Sequence, residues 1–160
     1  MARMVRWPPV HQLMVWGIRA VVPRHRVGVG IVALDEANRV LMLKHVFHPR
    51  TPWGLPGGWM GRDETPQTCA VRELKEETGL TATLGPVVHV TYDTHTLGLN
   101  VAFAAQTNPG PLTLSSEILS ARWFSPDTLP APILPFTREA IAAATALRAT
   151  EMQLGEVVAP

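Results

Sequence analysis

Residues 65 to 79 constrain the fold most, because they contain the signals that begin and end a single short helix. Thr65 is a favourable N-cap, and Pro66 suits the first helical position, where no amide hydrogen is needed. Gly79 can adopt the left-handed conformation that ends a helix. The sequence therefore predicts one helix from Pro66 to about Thr78.

This helix has two unlike faces. One is apolar and can anchor the helix to a sheet; it contains Ala70, Val71 and Leu74. The other carries Glu73, Glu76 and Glu77, whose i, i+3, i+4 spacing places three carboxylates within one arc. Taken by itself, such a face is more often a solvated surface. The alternative is a metal site, because Mg²⁺ binds carboxylate oxygens, water and substrate phosphate, and would neutralise the repulsion between like charges.

The residues around the helix favour the metal site. Glu64 lies just before the helix, and Gly57 and Gly58 belong to a glycine-rich turn that can bring backbone carbonyls to the same ion. Arg72 precedes Glu76 by one helical turn, where an i, i+4 ion pair can hold that carboxylate.

The rest of the chain alternates between predicted strands and helices. An alanine-rich helix is expected over Thr137–Thr150, and a short helical turn begins at Ser125–Asp127. The predicted strands are Val27–Leu34, Arg39–His45, Val87–Thr91, Leu99–Ala105 and Ala121–Phe124. Turn residues between the first two strands, and between the third and fourth, predict hairpins. This alternation is typical of a mixed α/β domain.

The segment from Gly58 to Leu80 resembles the Nudix box, G-x5-E-x7-R-E-U-x-E-E-x-G-U, in which U is an aliphatic residue. Every fixed and aliphatic position agrees: Gly58, Glu64, Arg72, Glu73, Leu74, Glu76, Glu77, Gly79 and Leu80. The flanking segments Trp53–Gly58 and Trp123–Pro126 are also similar to the family. The resemblance implies the Nudix fold, an α/β/α sandwich with a mixed β-sheet (class α/β or α+β).

The resemblance also implies an enzyme that cleaves the diphosphate linkage of a nucleoside diphosphate derivative by attack of water on phosphorus. Mg²⁺ is the implied cofactor, with Mn²⁺ as a substitute, and the products are a nucleotide and phosphate or a phosphorylated moiety. The partner is a nucleotide-type small molecule, and no nucleic-acid partner is predicted. Two alternatives remain open: a pyrophosphatase that removes oxidised nucleoside triphosphates, and a nucleotide-sensing module without catalysis.

Carried over by position, the resemblance gives roles to individual residues. The implied metal ligands are Glu73, Glu76, Glu77 and the carbonyl of Gly58. Glu73 has a second implied role, the deprotonation of the attacking water. Arg72 would orient a glutamate, and Glu64 would act through water or through structure.

Outside the box, the sequence provides only candidates. Glu117 lies in a loop before the Trp123 strand and is the best candidate for an external general base; an ordinary loop glutamate is an equal interpretation. The candidate substrate-binding residues carry positive or aromatic groups that suit phosphate or a base; they are His48, Arg50, Trp53 and Trp59. Trp53 can equally be an anchor of the core.

Residues 1–24 differ from residues 25–160, which are predicted to form the Nudix domain. The first acid is Asp35, so this N-terminal extension is basic as well as partly apolar. Its packing on the domain or across a homodimer is expected in preference to contact with a membrane surface.

Composition argues against a disordered chain and excludes an intrachain disulfide. With 46% hydrophobic and 17% charged residues, the chain is expected to be compact rather than disordered. The single cysteine, Cys69, cannot form an intrachain disulfide and is expected to be a buried filler, which fits a reducing, cytoplasmic compartment. The charge is divided unevenly, at +6 over residues 1–50 and −5 over the rest, and this division suits the handling of a polyanion through metal ions.

Overall fold

The computed structural model describes residues 8–22 and 24–158. Helices in this part of the chain are α1 (Pro8–Val21), α2 (Pro66–Thr78) and α3 (Pro135–Val158), with a short 3₁₀ helix at Pro126–Thr128. Strands are β1 (Arg26–Leu34), β2 (Val40–His45), β3 (Trp53–Gly54), β4 (Gly57–Trp59), β5 (Ala82–Asp93), β6 (Gly98–Thr107) and β7 (Ile118–Phe124).

The strands form one mixed sheet with the order β3-β2-β1-β6-β5. β1 and β6 are parallel along the whole of β1, whereas the other pairs are antiparallel. β1 diverges from β2 after the single register pair Leu34–Val40, and β4 pairs with the opposite end of β1. This split brings the glycine turn of β4 next to the middle of the sheet.

Side chains on the two faces of the sheet form two separate cores, because neighbouring strand residues point to opposite faces. Ile31 and Ala33 face α2, and the same cluster contains Leu41, Leu43, Cys69, Ala70 and Leu74. Val32 and Leu34 face α3, with Val40, Met42, Ala140, Ile141 and Ala144. The fold is therefore the predicted α/β/α sandwich, with α2 and α3 on opposite faces.

The predicted caps of α2 are confirmed. Thr65 is the N-cap, and its Oγ1 accepts a hydrogen bond from the Thr68 amide (3.2 Å), while the Thr68 hydroxyl accepts one from the Thr65 amide (2.9 Å). Gly79 has a φ of 74°, and its amide donates to the Lys75 carbonyl (2.9 Å). Both ends of the helix are thus fixed by local sequence.

The five strands predicted from the sequence are present, with shifted ends. β5 begins at Ala82 rather than Val87, because a register irregularity between Leu84 and Val87 accommodates Pro86, which cannot donate a ladder hydrogen bond. The predicted terminal helix is longer at both ends, and the short strands β3 and β4 were expected to be loop and turn.

For the residues described, the large apolar side chains of the N-terminal extension do not pack on the domain, and packing across a homodimer stays a prediction. α1 is a regular helix, but its large apolar side chains are exposed, including Leu13, Trp16 and Val21. Among the described residues, no helix has the length and hydropathy needed to cross a bilayer.

Candidate active site

Arg72 lies at the centre of the carboxylate cluster on α2. Its Nε and Nη2 donate to the two oxygens of Glu64, at 2.7 and 2.9 Å, and its Nη1 donates to Glu73 (2.8 Å) and Glu76 (3.0 Å). The i, i+4 pair with Glu76 was predicted, whereas the forked bond to Glu64 was not. One guanidinium thus orients three box carboxylates.

Both oxygens of Glu64 are held by Arg72. Glu64 also accepts a hydrogen bond from the Gly61 amide (2.9 Å), and these bonds, that of Arg72 first, lower the pKa of Glu64 to about 2. The carboxylate of Glu64, followed by those of Glu73 and Glu76, conversely raises the pKa of Arg72, so the Glu64–Arg72 pair stays charged at any ordinary pH. Glu64 is therefore positioned to hold Arg72.

Glu77 is the buried member of the glutamate face. The residue is only 7% exposed, and its Oε2 accepts a hydrogen bond from the Gly57 amide (2.8 Å). Burial is the main cause that raises its pKa to about 8, and the negative charges of Glu73, Glu117 and Glu76 act in the same direction. A carboxylate held in such a place is strongly stabilised by a nearby cation.

The glycine turn allows α2 to approach β4 closely. A Cβ on Gly58 would overlap the Glu73 carboxylate, and one on Gly57 would overlap the Val29 carbonyl oxygen. Gly57 has a φ of 155°, which also disfavours other residues. Both glycines are therefore required for the contact between the turn and the glutamate face.

Two residues outside the box influence Glu77. Nδ1 of His45 is 3.7 Å from Oε1 of Glu77, and burial lowers the pKa of His45, which favours a neutral imidazole. Glu117 is exposed at the start of β7, where its carbonyl accepts a hydrogen bond from the Val46 amide (2.9 Å). The negative charge of Glu117 is one of the causes that raise the pKa of Glu77, and its role as an external base stays a prediction.

The donors present suit a hard divalent cation. They are carboxylate oxygens on adjacent turns of one helix, and Glu77 is buried there beside the Gly57 amide. Within residues 8–22 and 24–158, no three acidic, imidazole or thiol side chains converge at metal-binding distance. The Glu76 side chain is 59% exposed, and its Oε2 accepts the hydrogen bond from Arg72.

The other substrate-binding candidates fall in different places. His48 lies edge-to-face with His45, at 5.8 Å between ring centroids, which brings its loop to the site. Arg50 is exposed on the same loop, between β2 and β3. Trp53 packs edge-to-face on Phe124 (5.3 Å) in the core under α3, as in its alternative interpretation as a core anchor.

Trp59 is half exposed immediately after Gly58. The Arg26 guanidinium lies over its ring, 5.8 Å from the centroid, and Gly28 and Gly98 leave room for the ring edge. The carboxamide oxygen of Asn100 lies over Gly28. An aromatic platform with a cation and an amide therefore borders the glycine turn.

Sequence reasoning missed Arg26, Asn100 and the contact of His45 with Glu77. A polar asparagine between Leu99 and Val101, in an otherwise apolar strand, was a usable signal. By contrast, nothing local indicates that β1 and β6 pair in parallel and place Asn100 beside Gly28.

Cys69 is fully buried in the core between α2 and the sheet. Burial is the first cause that raises the pKa of its thiol to about 11, so the thiolate is scarce at neutral pH. This supports the expected role of a buried filler rather than a nucleophile.

Comparison with known proteins gives a consistent match. Residues 24–144 match the model of the NUDIX domain. A MutT-like protein of Streptomyces ambofaciens is 34% identical over 66% of this chain and 67% of its own length. A putative 8-oxo-dGTP diphosphatase of Bacillus subtilis is 30% identical over 68% of this chain and 72% of its own. The crystal structure of a NUDIX hydrolase from Nitrosomonas europaea superposes with a TM-score of 0.72, covering 81% of this chain and 74% of that one at 23% identity.

Proposed function

The chain belongs to the NUDIX domain family and is a Nudix diphosphate hydrolase, and we propose that its substrate is a nucleoside diphosphate derivative cleaved with Mg²⁺. The observation that carries the proposal is the Arg72-centred carboxylate cluster, which is packed against the glycine turn at Gly58. Mn²⁺ is the expected substitute for Mg²⁺.

Glu73, Glu76, Glu77 and the Gly58 carbonyl would hold the metal. When bound, a divalent ion shields the charge of the diphosphate and lowers the pKa of a coordinated water. The chain itself supplies rigid positions for its ligands. The Gly57 amide fixes Glu77, and Arg72 fixes Glu73.

Glu117 is the proposed acceptor of the proton from the attacking water. Glu73 is the less suitable acceptor because its Oε1 already accepts a hydrogen bond from Arg72 and its carboxylate packs on Gly58. Glu117 is exposed, so its oxygens are within reach of a water molecule. Glu117→Gln should lower kcat by about 10² or more with little change in KM, whereas loss of an ordinary surface glutamate leaves kcat unchanged.

The substrate would lie across the surface between the β2–β3 loop and Trp59. Arg50 and His48 provide positive or neutral donors for phosphate oxygens, and Trp59 offers a half-exposed ring for a base or sugar. Trp53 is assigned only a supporting role, because its ring packs on Phe124.

Substitution of the metal-binding face is the first test. Glu76→Gln and Glu77→Gln, each folded, should lower turnover by about 10² or more, because a carboxamide neither neutralises the metal nor binds it tightly. Glu151→Gln, on α3 at the opposite face, is the matched control and should retain full activity. Near wild-type rates in both box variants would contradict the assignment.

A screen of nucleotide derivatives identifies the substrate. Phosphate release would be followed in Mg²⁺ and Mn²⁺, with and without added phosphatase, so that the bond cleaved is read together with the substrate class. The name of the Bacillus subtilis relative makes an oxidised nucleoside triphosphate the second candidate. Nucleotide binding by calorimetry without any product would instead indicate a sensing module.

A further inference from the structure

The described N-terminal helix α1 exposes apolar surface on a scale that a folded domain does not normally leave in water. Leu13, Trp16 and Val21 are 78%, 75% and 80% exposed, and Met14 and Ile18 are exposed as well. Contiguous exposed apolar surface of this kind marks a site of interaction with a protein or a membrane.

The apolar surface extends around most of α1. At 100° per residue, Trp16, Leu13, Val21 and Ile18 span roughly 200° of the circumference. Gln12 lies outside this arc. A broad apolar arc beside a narrow polar one is the pattern of a helix that lies in the plane of a membrane interface.

The charge of the segment has a single sign. Residues 1–24 contain Arg3, Arg6, Arg19 and Arg24, and no acid occurs before Asp35. Arginines close to a bilayer are attracted by anionic headgroups, and tryptophan is enriched at the same depth. The charge of the segment is thus complementary to an anionic lipid surface.

His25, the first residue after the extension, contacts the domain. A hydrogen bond joins Nδ1 of His25 to the hydroxyl of Tyr92 (3.1 Å), and the His25 ring packs edge-to-face on that tyrosine. We propose that α1 binds the surface of membranes rich in anionic phospholipid and holds the domain there.

A second copy of the chain is the less favourable occupant. A two-fold contact between two extensions would bring together two segments of the same charge, because residues 1–24 contain arginines and no acid. α1 contains no carboxylate to neutralise them. Anionic lipid removes this repulsion and covers the apolar arc at the same time.

Vesicle co-sedimentation of the full chain tests the proposal. Wild type should partition onto phosphatidylglycerol-containing vesicles and much less onto pure phosphatidylcholine, and salt should weaken the binding. Arg19→Gln with Arg24→Gln should lower partitioning by about 25-fold, from roughly five-fold for each arginine. Leu13→Ser with Trp16→Ser should also abolish retention, because it removes the largest exposed apolar side chains.

Matched controls keep the result specific. Arg138→Gln on α3 and Leu119→Ser on β7 change exposed residues of the same types outside α1 and should leave partitioning unchanged. Circular dichroism confirms that each variant is folded. Equal partitioning of wild type and the α1 variants would overturn the proposal. A dimer in sedimentation velocity that disappears with Trp16→Ser would overturn it in favour of a second copy.

Discussion

Glu76 and Glu77 are adjacent and chemically identical, but their surroundings give them different properties. Glu77 is buried against the Gly57 amide with its pKa raised to about 8, whereas the Glu76 side chain is 59% exposed and bound to Arg72. Preorganisation of ligands depends on such fixed contacts. We infer that Glu77 provides a fixed ligand and Glu76 an adjustable one.

Arg72→Lys tests how far the guanidinium organises the site. A lysine ammonium cannot form the forked bond to Glu64 while also reaching Glu73 and Glu76. We expect kcat to fall by roughly 10- to 100-fold, with metal affinity reduced and a smaller change in KM. The pKa of Glu64 should also rise from about 2 towards its ordinary value, measured by NMR titration.

Arg138→Lys is the control for this change, because Arg138 is exposed at the start of α3. If Arg72→Lys lowered only the melting temperature, with kcat and metal affinity intact, Arg72 would have a structural role alone.

At the scale of elements, the ends of α2 could be predicted, since Thr65, Pro66 and Gly79 act through local backbone geometry. β3 and β4 could not be predicted, because two or three residues form a strand only when a partner strand is already in place. The same limit applies to Asn100 and His45, which reach the site through pairing between distant segments. The box glutamates were accessible from sequence because one helix carries them all.

Gly58→Ala tests the contact between β4 and α2. The added methyl group would overlap the Glu73 carboxylate, so either the helix or this side chain must move. We expect turnover to fall by at least about 10²-fold, because displacements near 1 Å at an active site have effects of this size. The measurement is kcat for wild type and variant on the best substrate.

Gly17→Ala provides the contrast, since a Cβ at this position in α1 meets nothing within 4 Å. It should leave turnover unchanged. Equal activity of Gly58→Ala and wild type would show that Glu73 does not need its observed position.

At the scale of the whole molecule, the basic and the acidic halves of the sequence can be followed into the structure. The basic half contains α1 and the loop with His48 and Arg50, while the glutamate face belongs to the acidic half. His48 of the first half packs on His45, whose Nδ1 lies 3.7 Å from Oε1 of Glu77 in the second half. The sequence alone could not show that the apolar side chains of α1 are exposed, because a helix that packs its apolar face on a domain has the same sequence pattern.

Metal binding should stabilise the entire domain, because a ligand that binds only the folded state shifts the unfolding equilibrium. The folded site concentrates Glu73, Glu76 and Glu77, and the unfolded chain does not. At about 100 times the Kd, Mg²⁺ or Mn²⁺ should add about 2.7 kcal/mol to the free energy of unfolding. The melting temperature would be measured with each ion and with chelator, for wild type and for Glu77→Gln. NaCl at the same ionic strength serves as the control, so that metal binding is separated from the general effect of salt. A metal-dependent rise that persists undiminished in Glu77→Gln would locate the stabilising ion away from the glutamate face of α2.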